Sequence, residues 1–410
     1  MTHRSAQGIA NSLLFSSILV VSALYHSELG GPGSVYNSVN VGLIGGFLLL
    51  NRDFDHGLVL AFSVPLAFLA MSVAGNVGGF GFGSYRAAGA TAIGYVLFTL
   101  RPVPLHHRLL RRIVTTFLIV NLVLSVYWFT QGPPSTFGVA NANFNRNPNG
   151  ASAFFVGCVM LSLALVKGRL GWMLAVPFML LTVTTGSRAG AVVITLMLLG
   201  CLVFSPAEVE RHKSRALLRR IASNWTVWVM ASVAVALAVR FLPDAVDYLM
   251  TRFEVGQSRS EQWEEGWANI RSLRGFLFGG GPATLGAETG AAAHSSYIEA
   301  IGNCGVFFLA TTMIAMFAWL RRLVRNGCRD MLWLVPPVLV YGLVENILFN
   351  GINSVWLLTM LLGIAAQSRE AGLDVATRTR ARGLSPVRRA PPRQLVTAPA
   401  PLASTNRDTR

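Results

Sequence analysis

The sequence predicts an all-α polytopic membrane protein of about twelve transmembrane helices, with one large extracytoplasmic loop between the ninth and tenth spans. Three observations carry that prediction. Of the 410 residues, 53% are hydrophobic and only 13% are charged, whereas an average soluble domain carries about 25% charged residues. Apolar runs of roughly 17 to 22 residues, long enough to cross about 30 Å of hydrocarbon, recur along the chain. Lysine and arginine gather in short clusters between those runs, as the positive-inside rule requires of cytoplasmic loops.

Taken in order, the runs lie near residues 8–26, 35–50, 57–74, 87–100, 113–129, 150–166, 170–185, 189–205, 225–242, 296–320, 331–348 and 352–367. The first run lacks a small-residue cleavage site and is followed by many more, so it reads as a retained helix and not as a signal peptide. With the N-terminus inside, the inner segments hold 26 of the 34 basic residues, including Arg101 to Arg112, Arg211 to Arg220, Arg321 to Arg329 and the C-terminal tail, and 8 fall outside. Both termini are then cytoplasmic. The formal charge of +16 therefore reads as topology. Nucleic-acid binding would need the basic residues on one folded face.

Residues 368–410, rich in Arg, Pro, Ala and Thr, read as a disordered cytoplasmic tail at the surface of the membrane lipids. Cys158, Cys201, Cys304 and Cys328 are scattered, which supports neither a disulfide framework nor a zinc site.

Non-membrane mass concentrates at residues 243–295. Within it, Trp263, Trp267, Ile270 and Arg274 fall on one stripe if a single helix covers them, the pattern of an interfacial amphipathic helix. Arg252 and Arg259 precede that stripe. The run "LFGGGPATLG" is readable as a backbone anion nest or as a plain turn. In "AHSSYIEAIG", Ser296 and Glu299 fit a capping box. His294, just ahead of it, is left unexplained by capping. The positive end of a helix dipole disfavours imidazolium, so this ring would be neutral and able to accept a proton. Arg188 sits between two apolar runs too close for a loop, at a depth where arginine usually faces a cavity, partner or ligand. Arg146 lies on the preceding outer loop, and Asn149 there is a candidate cap for the sixth span.

Four segments in order, "NPNGASAF", "TGSRAGAVV", "GQSRSEQWEEGW" followed by "LFGGGPATLG", and "AHSSYIEAIGNCGVFFLA", resemble the O-antigen ligase and O-antigen polymerase family of polytopic membrane glycosyltransferases. The resemblance covers residues 140–320; the first 130 match only in hydropathy. It departs at Ser295, where asparagine is frequent in the family. It implies a multi-pass protein of the bacterial inner membrane. It also implies transfer of a glycan from a polyprenyl diphosphate carrier to a glycan, lipid or protein acceptor hydroxyl, on the extracytoplasmic side and with no metal or nucleotide cofactor. Carried over by motif, Arg188 and Arg259 bind the diphosphate with Arg146 nearby, His294 assists deprotonation of the acceptor, and Glu299, Asn149 and Arg252 support the site. Arginine's planar fork suits phosphate oxygens, and histidine titrates where a base for a hydroxyl is needed. A transporter or flippase of lipid-linked sugars is the competing class. It would favour midplane charges and internal repeats, and the sequence shows no convincing repeat.

Overall fold

The computed structural model describes residues 3–25, 33–75, 82–131, 148–185, 187–204, 263–264, 267, 270, 272–281, 295–345, 348–349 and 354–383. Within them the chain is helical, with one isolated bridge between Phe54 and Leu100. The helices are α1 (His3–Tyr25), α2 (Gly33–Leu50), α3 (His56–Ala74), α4 (Phe82–Phe98), α5 (His107–Gln131), α6 (Pro148–Leu161), α7 (Gly168–Thr184) and α8 (Arg188–Phe204). They continue as α9 (Leu273–Phe278), α10 (Ser296–Cys304), α11 (Val306–Arg325), α12 (Met331–Val344) and α13 (Ser354–Gly383). Three stretches, His56–Ala74, His107–Tyr127 and Val306–Arg325, are long and apolar enough to cross a membrane, and several shorter apolar helices accompany them. This is the composition of a membrane protein.

Every predicted span that falls within the described residues contains a helix; 225–242 lies outside them. The differences are local. The sixth run ends in a π turn, Ser162–Val166, closed by the Lys167 amide donating to the Ser162 carbonyl at 3.0 Å. The tenth run is two helices, because Gly305 (φ 89°) breaks it between α10 and α11. The twelfth does not stop at residue 367. It runs on to Gly383, so residues 368–383 are helix where the sequence predicts disorder, and the boundary of the first compact unit, at Glu370, falls inside it. That stretch is rich in good helix formers (Ala, Arg, Leu, Glu), and its Pro-rich continuation begins only at Pro386.

Apolar helices leave little to fix their relative positions except polar contacts and close packing. Asn11 and Asn51 exchange side-chain amide bonds at 3.0 and 2.9 Å, and Asn11 also donates to the Pro104 carbonyl. Asp55 caps α3 by accepting from the Leu58 amide at 2.9 Å and pairs with Arg322 in the last turn of α11, where a cation suits the helix dipole. Asp330, ahead of α12, holds both Lys167 and Arg369, the latter at 2.9 Å. Burial pushes the Asp330 carboxyl up, but the Lys167 charge and the hydrogen bonds from Lys167 and Arg369 outweigh it and hold the group below the usual carboxylate range. Phe62 and Phe98 stack at 5.1 Å, and Trp319 meets Phe98 edge-on at 4.7 Å, joining α3, α4 and α11.

Candidate functional site

Parts of the four segments that carry the family resemblance, distant in the chain, touch one another: the first, second and fourth beside the end of α12 that finishes at Val344, and the third against α10. Ser152, fully buried in α6, touches Gly190 of α8 so closely that a Cβ at Gly190 would overlap its hydroxyl. The Tyr341 hydroxyl of α12 lies 3.5 Å from the same Ser152 Oγ. On the other side, Ser296 of α10 donates to the Glu345 carbonyl at 2.8 Å and accepts from the Leu348 amide at 2.9 Å, while Tyr297 donates to the Leu339 carbonyl at 2.8 Å. Trp263 packs on Ile298. Its indole N–H is buried and has no acceptor among the described residues.

The two hydrogen bonds made by the Ser296 hydroxyl correct the capping box. Ser295, extended at φ −144° and ψ 118°, is the residue that precedes the helix, and no side-chain cap forms there. Ser296 is already inside the first turn and ties α10 to the turn after α12. The spacing Ser-x-x-Glu is shared by both arrangements, so the sequence could not separate them. Glu299 remains in the first turn, half-buried, its amide donating to the Ser295 carbonyl at 3.0 Å. An acidic side chain is favoured there by the dipole.

The glycine run does not form an anion nest. The amides of Gly279, Gly280 and Gly281 donate to the carbonyls of Gly275, Gly302 and Asn303 at 2.7, 2.8 and 3.0 Å, so all three are committed to protein. What the glycines permit is backbone-to-backbone approach. A Cβ on Gly279 (φ 80°) would overlap Asn303, and one on Gly305 (φ 89°) would overlap the Leu277 carbonyl and come within 2.6 Å of the Phe278 Cα. Ser72 of α3 adds a bond to the Asn303 carbonyl at 2.6 Å. Gly305→Ala is therefore expected to lower stability by at least about 1–3 kcal/mol, the cost of holding an L residue in a region nearly reserved for glycine. A detergent-solubilised variant melting with the wild type would show that α9 does not cross the α10–α11 break this closely.

The amphipathic stripe also divides. Residues 263, 264 and 267 are helical and Ile270 is not, while Ser272 caps a separate short helix, α9, through the Gly275 amide at 2.9 Å. Arg274 therefore belongs to a different helix from Trp263 and Trp267, because a serine with cap geometry interrupts the period.

Arg188 is the first residue of α8, behind Ser187, whose hydroxyl accepts from the Gly190 amide at 3.4 Å. The α6 helix begins at Pro148, a position proline favours, so Asn149 lies within its first turn and is not its cap. Arg146, Arg252, Arg259 and His294 lie outside the described residues.

Sequence reasoning passed over Glu345. It sits inside an apolar run and is only 6% exposed, and its extended backbone (φ −143°, ψ 148°) ends α12. A carboxylate in an otherwise apolar twenty-residue window was the available signal. Phe349, next along, has φ 59°, its carbonyl accepting from Thr91 at 2.7 Å and its ring edge-on to Tyr297 and Trp356, each at 5.8 Å. A bulky residue held in that region is strained, here beside the segment that bears Ser295 and Ser296.

No family model matches the chain, and no curated protein matches it.

Proposed function

We propose that this chain is a membrane glycosyltransferase of the O-antigen ligase or polymerase type. In this reading it moves a glycan from a polyprenyl diphosphate carrier onto an acceptor hydroxyl on the extracytoplasmic face, during cell-envelope or exopolysaccharide synthesis. The observation that carries the reading is that the motif segments touch one another: Ser152 meets Gly190 beside Tyr341 of α12, Ser296 ties to the turn after α12, and Trp263 and the Gly279–Gly281 run both meet α10. A chain whose motif segments served only as separate spans would have no reason to gather them.

The chemistry follows from the residues. Arg188 and Arg259 hold the diphosphate as its negative charge grows on leaving, with Arg146 alongside. Arg188 opens α8, so its guanidinium and the first-turn amides favour the same anion. His294 takes the acceptor proton as the acceptor oxygen attacks the sugar carbon and the carrier diphosphate departs. Glu299 and Asn149, in the first turns of α10 and α6, are assigned supporting roles. The test is reconstitution with a polyprenyl-diphosphate oligosaccharide and an acceptor hydroxyl; absence of glycan transfer with every acceptor class would reject the reading.

The twelve-span layout, with both termini cytoplasmic in a bacterial inner membrane, belongs to the same proposal and rests on the partition of 26 basic residues against 8. Single cysteines replacing Ser258 and Ser385, in a background without the native four, should differ under an impermeant thiol reagent, with only the first labelled from outside. Equal labelling would overturn the orientation.

The break at Gly305 favours the second reading, a transporter of lipid-linked sugars, because interrupted helices commonly line transport sites. Reconstituted vesicles separate the two. Net movement of the intact donor across the bilayer without glycan transfer would support transport.

A further inference from the structure

We infer that the paired faces of α5 and α7 form a binding site for an anionic phospholipid, its phosphate held by Arg108, Arg111 and Arg112 beside Arg169, its acyl chains along the apolar stripes that follow. Nothing in the inference depends on the proposed glycosyl transfer.

Helix α5 shows a division along its length. Leu110, Val114, Leu118 and Ser125 are buried, while Arg108, Arg111 and Arg112 and then Ile119, Val120, Val123 and Tyr127 are exposed. Steps of three and four residues place the exposed set on one face. Val123 is 62% and Tyr127 57% exposed, although this helix is among those apolar enough to cross a membrane. From Arg112 to Tyr127 the stripe is roughly 22 Å long at 1.5 Å per residue, enough for the acyl chains of one leaflet, about 15 Å.

Helix α7 repeats the pattern. Arg169 is exposed at its start, followed by Trp172, Met173, Val176, Leu180 and Val183 on an exposed face. An indole within one turn of a cation is the arrangement found at headgroup depth. The two helices pack against each other, and α5 also packs on the π turn that precedes α7. Their basic ends are level. His107 lies 3.3 Å from Ser368, while Lys167, immediately before α7, and Arg369 share Asp330.

Among the described residues no acidic side chain balances the arginines. The acidic side chains at this level, Asp330 and Glu370, are engaged by Lys167 and Arg369, and no ion pair among the described residues includes Arg108, Arg111, Arg112 or Arg169. An anionic head with long apolar tails matches the surface at both ends. Arginine forks bind phosphate oxygens bidentately, which a merely topological positive charge does not require.

Native mass spectrometry of the full chain, with phosphatidylglycerol and phosphatidylcholine supplied equally, tests this. The wild type should retain phosphatidylglycerol preferentially. R108K/R111K/R112K keeps the charge that sets orientation and should bind it more weakly. R108Q/R112Q should lose at least about tenfold in affinity, from about 1 kcal/mol per basic residue near the surface. R321Q/R325Q removes the same charge from two exposed arginines of α11 and should retain wild-type affinity. Each variant is checked for wild-type melting in detergent, which exposed, unpaired arginines should preserve. Equal loss in R321Q/R325Q, or full retention in R108Q/R112Q, would overturn the site in favour of general charge attraction.

Discussion

His294→Ala is expected to insert and melt like the wild type while losing on the order of 10²–10⁴ in transfer rate, the usual contribution of one acid–base group. The expectation rests on position. His294 stands one residue ahead of Ser295, where the backbone is extended before entering α10. In the proposed mechanism the dipole of α10 disfavours imidazolium ahead of it, and a neutral ring there accepts the acceptor's proton. Ser296 is the contrasting neighbour. It accepts from Leu348 and donates to Glu345 inside a buried junction, so Ser296→Ala leaves a buried amide unpaired and should lower stability by about 1–3 kcal/mol. The transfer rate of the molecules that remain folded should stay close to wild type. Melting temperature and specific transfer activity, measured on the same detergent preparations, separate the two behaviours. If His294→Ala melts early and keeps its specific activity, the ring is structural, and the base must be sought at Glu299 or Glu345.

The contrast between these neighbours shows where sequence reading succeeds and where it stops. Helix positions were legible because apolar runs of membrane length have few alternatives, and even the Gly-rich stretches around Gly45 and Gly89 fold as α2 and α4. Interruptions were not. Gly305 in "GNCGVFF" reads as one more small residue in a span, and only its contact with Leu277 and Phe278 shows why the chain must turn there. The same holds for the three glycines before Pro282. Their amides could have faced an anion or protein carbonyls, and for Gly280 and Gly281 the distant carbonyls of Gly302 and Asn303 decide it. For a side chain with two available partners, such as Ser296, the sequence pattern points to the local one. The structure supplies a distant one.

Arg188→Lys and Arg259→Lys are each expected to slow transfer about ten- to a hundredfold although the charge is kept, which corresponds to one charge-assisted hydrogen bond of about 1.5–3 kcal/mol. An ammonium is a point donor and cannot span two oxygens of a diphosphate as a guanidinium does. Ser187 caps α8 through the Gly190 amide, so Arg188 occupies the first helical position, where the dipole is unfavourable to a cation. A cation kept in that position is offset if an anion binds between its side chain and the first-turn amides, and such an anion is the diphosphate in the proposed reaction. Gly190, two residues on, is held against Ser152 with no room for a side chain, so the helix start cannot slide to relocate the charge. Arg252→Lys serves as the comparison and should be less sensitive, because the spacing Arg-x-x-x-Trp selects Arg259 with Trp263. Trp263 is the residue that reaches Ile298 in the α10 first turn, and the proposed mechanism assigns the position four before it to the diphosphate. Turnover of a lipid-diphosphate donor at the wild-type rate by both Lys variants would remove the diphosphate from these arginines. Loss in Arg252→Lys equal to that in Arg259→Lys would instead leave the clamp in place and move its second arm.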